Sequence, residues 1–169
     1  MACTSNDKIH NSVKEVAYKS FKSDSLHFTL EYPENWEIVY SIDSNSTFLL
    51  NAPLLDSTDT YQENFHIWAE TLPIAISDSI YKQATLTELK ISNPSFNITK
   101  LTDTITKFGS FGRYRFDFTT SDSNAYEVQG FTLLNKTKGY NLIFTSELKN
   151  KSLYQAELMH MIQTFNSNL

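Results

Sequence analysis

Cysteine is almost missing from this chain: among 169 residues there is only Cys3. That excludes an internal disulfide and a zinc site built on thiolates. Glycine and proline are scarce too, four of each, so the chain is neither a linker nor a low-complexity segment. No apolar run is long enough to cross a bilayer as a helix. Positive charge is the minority, 14 Lys and Arg against 19 Asp and Glu for a net charge of −5, and no basic cluster stands out. Binding to a phosphate backbone is therefore not the main task, and nucleic acid is not an expected partner. Acidity at this level reflects ordinary solubility and is not evidence for a cationic partner. The chain also lacks a Gly-x-Ser-x-Gly elbow, a phosphate-binding loop and a dinucleotide fingerprint.

What is present is apolar and aromatic: 40% hydrophobic residues, 14% aromatic, and only 20% charged. A chain of this length and composition can bury one sizeable core without staples. The strongest single stretch is Leu26 to Val39. Leu26, Phe28, Leu30 and Tyr32 alternate with His27, Thr29 and Glu31, the period of a strand with one buried face. Pro33 cannot donate to a ladder and biases Tyr32 towards an extended backbone, so the strand stops there. Trp36 and Ile38 then return to the same core.

The flanking segments follow the same logic. Ile9 to Phe21 is ambiguous, with a disordered or helical lead-in to about Val13 and then a strand over Val16 to Phe21 pairing with Leu26 to Glu31. Ser23-Asp24-Ser25 is the intervening turn. Glu37 to Ser41 extends to a polar turn at Asp43-Ser44-Asn45-Ser46, Thr47 to Leu50 is a short strand, and Leu54 to Gln62 an exposed loop. Phe65, Ile67 and Ala69 alternate with His66, Trp68 and Glu70, which predicts a strand with both faces covered. Ser77-Asp78-Ser79 offers helix caps, and Ile76, Ile80, Ala84, Thr87 and Ile91 make a stripe over a helix from about Ile80 to Ile91. Leu86 and Leu89 fall outside that stripe, so the apolar face is broad or the helix bends. Asn93-Pro94 ends the helix.

In the second half, Phe96 to Leu101 and Thr104 to Phe108 are short β-type runs, and Gly109 and Gly112 bracket an expected kink or bulge. Tyr114, Phe116 and Phe118, then Tyr126 to Leu134, then Tyr140, Leu142 and Phe144 form an antiparallel meander joined by the turns Ser121 to Asn124 and Asn135 to Gly139. Ser152 and Gln155 have capping-box spacing. Tyr154, Leu158, Met161, Ile162 and Phe165 then repeat at helical spacing.

Taken together, Tyr32-Pro33-Glu34-Asn35-Trp36, the run Phe108 to Phe116, Tyr140-Asn141-Leu142-Ile143-Phe144 and the closing Met161-Ile162-Gln163-Thr164-Phe165 resemble the PsbP-like family. Its fold recurs in a Ran-binding nuclear import factor and in bacterial envelope lipoproteins of the DcrB type. The resemblance covers about Val16 to Phe165. It implies an α+β fold: a single antiparallel β-sheet with helices on both faces, an α/β/α sandwich. Neither the photosystem-docking extension nor the Ran-contact surface is matched residue by residue, so the resemblance carries the fold and not a function.

A second resemblance concerns Met1-Ala2-Cys3 and the small polar residues Thr4, Ser5, Asn6, Asp7 and Lys8. These look like the mature end of a bacterial lipoprotein, whose lipid-bearing Cys precedes a polar tether; the alternative is an incidental Cys in a terminal tail. The first reading implies lipidation of Cys3, a tether over residues 1–15 and a PsbP-like domain over 16–169. It places the protein on the periplasmic or outer side of a bacterial envelope, with membrane contact through the lipid anchor only.

Several chemistries are weighed on named residues. His27 and His66, with Glu31 or Glu70, can form a nitrogen and oxygen metal site if their strands are neighbours; the alternative is two unrelated imidazoles. His10 and His160 lie apart from them. Cys3 in a polar tail has no His to activate it as a nucleophile. Asp122 with Glu127, or Glu63 with Glu70, are carboxylate pairs of a kind any acidic protein offers. Arg113 and Arg115, with Asp117 two residues on, read as a solvated charge ladder, or as an anion clamp. Among Phe65, Trp68, Tyr81, Phe96, Phe108, Phe111 and Tyr126 most are core, while a subset near Gly109-Ser110-Phe111-Gly112 can line a groove. No catalytic, cofactor or metal residue is assigned. The expectation is a non-enzymatic domain that binds or assembles with an envelope protein; a small-ligand or metal-binding periplasmic protein is the alternative, and a hydrolase a third class.

Overall fold

The computed structural model describes residues 16–39 and 47–168. Within them the chain forms β1 (Tyr18–Ser23), β2 (Phe28–Pro33), β3 (Glu37–Val39), β4 (Thr47–Asn51), β5 (Asn64–Thr71), α1 (Asp78–Ser92), β6 (Thr99–Thr106), β7 (Gly109–Thr119), β8 (Ala125–Asn135), β9 (Lys138–Glu147) and α2 (Gln155–Thr164). The class is α+β. Seven strands make one antiparallel sheet in the order β3-β4-β5-β9-β8-β7-β6, while β1 and β2 pair only with each other.

The single sheet expected from the sequence is therefore two. The strand over Phe28–Pro33 is not inside the large sheet; its hairpin lies across it. Phe28 and Leu30 are buried, yet the backbone of β2 bonds elsewhere. Thr29 and Asn166 exchange N–H···O bonds of 2.8 Å in both directions, and the Glu31 amide donates to Thr164 Oγ1 at 3.1 Å. Tyr140 of the large sheet fixes the hairpin from below, its hydroxyl donating to the carbonyls of Leu26 at 3.0 Å and His27 at 2.9 Å. Alternation identified a strand correctly, because alternation reports one buried face and not which edge receives the hydrogen bonds. Pro33 ends β2 as expected, and Trp36 drops into the core against Phe144 and Tyr154 at 6.3 and 5.7 Å between ring centroids.

The three-strand meander of β7, β8 and β9 was legible from the sequence, while the two short runs expected over Phe96 to Leu101 and Thr104 to Phe108 form one strand, β6. Strands β6 to β9 are sequential neighbours, and Tyr126 through Asn135 pairs with Lys138 through Glu147 without interruption. The irregularity expected at Gly109 and Gly112 lies instead in β6, where the register shifts between Leu101 and Thr104; β7 runs unbroken from Gly109. Gly112 serves packing: a Cβ there would press on Thr132 Oγ1 at 2.7 Å and on the Lys82 stem at 2.8 Å.

Successive side chains of a strand point to opposite sides of its sheet. Leu158, Met161 and Ile162 of α2, with Phe165 just beyond it, join Phe65, Ile67, Phe111, Phe131, Leu142 and Phe144 in the main core. Helix α1 places Tyr81 over Gly139 and Lys82 over Gly112, with Leu86 against Tyr114 and Ile98.

Two local expectations are corrected. The stripe Ile80, Ala84, Thr87 and Ile91 was to be the buried face of α1; Ile80 is 57% and Ile91 74% exposed, and Tyr81 and Leu86 are buried instead. The two glycine hollows decide this, because they accept an aromatic ring and a lysine stem that apolar periodicity alone does not count as core. The capping box at Ser152 and Gln155 also does not form. Helix α2 begins at Gln155 behind Tyr154 with no side-chain cap, and Gln155 Oε1 accepts from Gln129 Nε2 at 3.2 Å.

Candidate functional site

Between α1 and the strands β5 and β9 lies a cavity of about 200 Å³ lined by Trp68, Glu70, Tyr81, Glu88, Leu89 and Asn141, among others. Its floor follows from register. Trp68 and Asn141 are directly opposed across β5 and β9, and Glu70 opposes Gly139. The missing side chain at Gly139 lets the Tyr81 ring settle there, so that its hydroxyl donates to Glu70 Oε1 at 3.0 Å. Burial first, and then the charge of Glu70, hold the Tyr81 hydroxyl far above its ordinary pKa. Thr85, one turn on, donates to the Tyr81 carbonyl, and Glu88 and Leu89 complete the helix wall.

Asn141 is 8% exposed. Its Oδ1 accepts from Tyr114 Oη at 3.0 Å, whose own pKa burial pushes up to about 12. The other end of the amide, Nδ2, has no hydrogen-bond partner among the described residues, while the side chain borders the cavity. Trp68 is 47% exposed. The lysine beside the site is already engaged: Lys82 Nζ lies 2.6 Å from Asp78 Oδ2 and 2.9 Å from Asp103 Oδ2. Among the described residues no Lys or Arg pairs with Glu70 or Glu88. The arrangement is an aromatic wall with two carboxylates lacking a cationic partner and a buried amide donor.

On the outer side of α1, sharing Glu88 with the cavity, Ile80, Ala84, Thr87 and Ile91 line a shallow open groove. This is the stripe expected to be core, now turned to solvent.

The residues singled out from the sequence are distributed otherwise. His27 sits in the β1–β2 turn with φ of 57°, whereas His66 is on β5 between Leu49 and Ile143. These strands belong to different sheets. Glu31 is bonded by His160 Nε2 at 2.8 Å, and Glu70 by Tyr81, so the four groups do not converge. Among the described residues no three His, Cys, Asp or Glu side chains gather in metal-holding geometry. Arg113 lies over the Phe131 ring at 5.3 Å, while Arg115 Nε is 3.8 Å from Glu127 Oε2, which Lys151 also approaches at 3.5 Å. Asp122 is in an exposed turn bonded by Thr120 and Asn124, far in role from buried Glu127. Glu63 does not face Glu70. It is fully buried and accepts from Asn150 Nδ2 at 3.1 Å, an amide that also reaches Glu147 at 3.2 Å.

Of the aromatics, Phe65 and Phe111 are fully buried. Of the aromatics near the Gly109 to Gly112 segment, Phe108 borders a groove, with Lys107 and with Phe21 of β1. Phe96 and Tyr126 belong to a ladder with Phe116 and Phe118, with centroid spacings of 5.0 Å for Phe96 to Phe116 and 5.2 Å for Phe118 to Tyr126. Cys3 and His10 lie outside the described residues. Sequence reasoning had Trp68 and Tyr81 in view but missed Asn141 and Glu88. The available signal was a lone Asn inside the apolar run Tyr140 to Phe144.

No protein-family model matches this chain, and no curated protein matches it by sequence. Solved structures do. The chain is similar to LpqN of Mycobacterium tuberculosis, a protein involved in cell envelope biogenesis, at TM-score 0.65 and 11% identity over 89% of this chain and 90% of that one. It is similar to the cyanobacterial PsbP of Synechocystis sp. PCC 6803 at TM-score 0.54 and 9% identity, over 92% and 95%. It is similar also to the Ran-binding protein Mog1p of Saccharomyces cerevisiae at TM-score 0.59 and 10% identity, over 90% and 96%. It spans about half, 48%, of a Bacteroides thetaiotaomicron protein matched at TM-score 0.61 and 19% identity. The class is thus defined: an α+β chain with a large antiparallel sheet and two helices. Its fold is the PsbP/Mog1-like one.

Proposed function

We propose that residues 16–169 form a non-enzymatic protein-binding domain with helices on both faces of its large sheet, carried on the tether 1–15 from a lipid-modified Cys3 in a bacterial cell envelope. The observation that carries the binding reading is the outward stripe of α1, where Ile80 and Ile91, 57% and 74% exposed, line one open groove with Ala84 and Thr87. Contiguous apolar surface of this kind marks interaction sites far more often than scattered single residues do. Two fold relatives support the reading through what they are: one is involved in envelope biogenesis and one binds a protein. A small-ligand reading is favoured by one feature, the cavity at Trp68.

The test is a photo-crosslinking amino acid at position 84 in the protein expressed with its own leader in its own cells. A discrete crosslinked species that disappears in the Ile80→Glu, Ile91→Glu variant is expected. Crosslinking that is absent, or indifferent to those substitutions, overturns the binding face. Mass spectrometry of the mature protein checks the anchor separately: an acylated N-terminal Cys3 is expected, and an unmodified Cys3 overturns it.

A further inference from the structure

We propose that the cavity at Trp68 receives an arginine side chain of the partner protein. The inference rests on the protein-binding reading above and deepens it by naming the chemistry the partner must present. Four features of the cavity converge on it. Glu70 and Glu88 bring two carboxylates from different elements, one on β5 and one on α1, with no cation of this chain paired to them among the described residues. The ammonium of Lys82, next to Tyr81 in the chain, is held by Asp78 and Asp103. Trp68, 47% exposed and lining the cavity, offers an indole, the ring on which a guanidinium stacks most favourably. Asn141, buried and tied through Oδ1 to Tyr114, leaves an amide N–H donor at the cavity.

A bare inorganic cation does not fit this set, because the Asn141 donor is repelled by it and the aromatic wall gives it no ligand oxygen. A peptide does: a backbone carbonyl satisfies Asn141 while the cationic side chain meets the carboxylates. Arginine is preferred over lysine because its planar fork of N–H donors can engage carboxylates in two directions while lying on an indole, whereas an ammonium is a compact, strongly hydrated point charge.

The experiment titrates the isolated chain with N-acetyl-arginine amide, N-acetyl-lysine amide and the neutral isostere N-acetyl-citrulline amide. It follows the indole N–H resonances of Trp36 and Trp68, assigned with Trp68→Phe. A saturable shift of the Trp68 resonance with the arginine probe is expected, with Trp36 unmoved. Citrulline should produce no comparable shift. Glu88→Gln, on the exposed helix wall where folding is not at risk, should weaken the arginine response by about tenfold, as loss of a charge-assisted contact requires. An equal response to citrulline, or no saturable response to arginine, overturns the proposal; equal binding of lysine overturns the preference for a guanidinium. The two readings fail separately. Loss of crosslinking in the Ile80 and Ile91 variant with no arginine response sinks only the cavity assignment. Arginine binding with no crosslink from α1 sinks only the docking face.

Discussion

Tyr114 occupies the space that any side chain at Gly130 would need. The two residues oppose one another across β7 and β8, and a Cβ on Gly130 would overlap the tyrosine ring. The ring thereby passes under α1 and delivers its hydroxyl to Asn141 at 3.0 Å, which sets the floor of the Trp68 cavity. Glycine at 130 is thus a requirement of the site as well as of the core.

Gly130→Ala is expected to destabilise the domain by about 1–3 kcal/mol, the usual cost of forcing extra volume into a packed core. Urea unfolding measures it. Because the displaced ring also releases Asn141, the Trp68 indole resonance should move in the folded variant; an unshifted resonance would show that Tyr114 does not govern the cavity floor.

Ile80→Glu and Ile91→Glu, singly or together, should leave stability within about 0.5 kcal/mol of the parent, the ordinary range for exposed positions. Leu86→Ala on the same helix should cost about 2–4 kcal/mol, since it empties a core site. Thermal melts of the three variants decide which face of α1 is inside. A large loss at Ile80 or Ile91 would restore the orientation that periodicity alone predicts.

Asn150→Ala removes the amide shared by Glu63 and Glu147. Glu63 is fully buried, and its Oε2 already lacks a partner among the described residues. The substitution should therefore cost about 2–3 kcal/mol, the penalty for stranding a buried polar group together with the lost bond to a charged acceptor. Glu63→Gln keeps the oxygen that accepts from Asn150 and should be much milder. A small effect of Asn150→Ala in denaturant titration would count against this bridge.

His66 is held neutral by burial, which lowers its pKa. The unfolded chain then binds more protons than the folded one between the depressed pKa and the ordinary value near 6.5, so stability rises with pH across that window. This contribution is complete above about pH 6.5 and is lost as pH falls through the folded value. Urea midpoints for the parent and His66→Gln, compared at about pH 7.5 and 5.5, isolate it. The variant should lose less stability on acidification, and parallel behaviour of the two proteins would remove His66 as the cause.

How much was legible can be read from individual residues. Leu142, Phe144 and Leu158 were legible as core because strict periodicity and apolar chemistry agreed, and each is buried. Leu30 was placed correctly in a strand but wrongly in the large sheet, since side-chain alternation carries no information about a backbone's hydrogen-bonding partners. Helix α1 was found and its orientation missed. Tyr81 and Lys82 are amphipathic, so counting apolar side chains favoured Ile80 and Ile91, while the deciding hollows at Gly112 and Gly139 are distant in sequence. The cavity was hidden for the same reason. Trp68, Glu88 and Asn141 come from three elements, and only strand register brings them together. Lipidation at Cys3 rests on the sequence resemblance alone.

The reciprocal pair between Thr29 and Asn166 has a bearing on how the chain is made. During synthesis the β1–β2 hairpin waits for a backbone group 137 positions downstream, the separation of those two residues, before it can be locked in place. Until then Phe28 and Leu30 have no lid from the tail. A chain released before that point should expose sticky surface and be a target for chaperones and proteases.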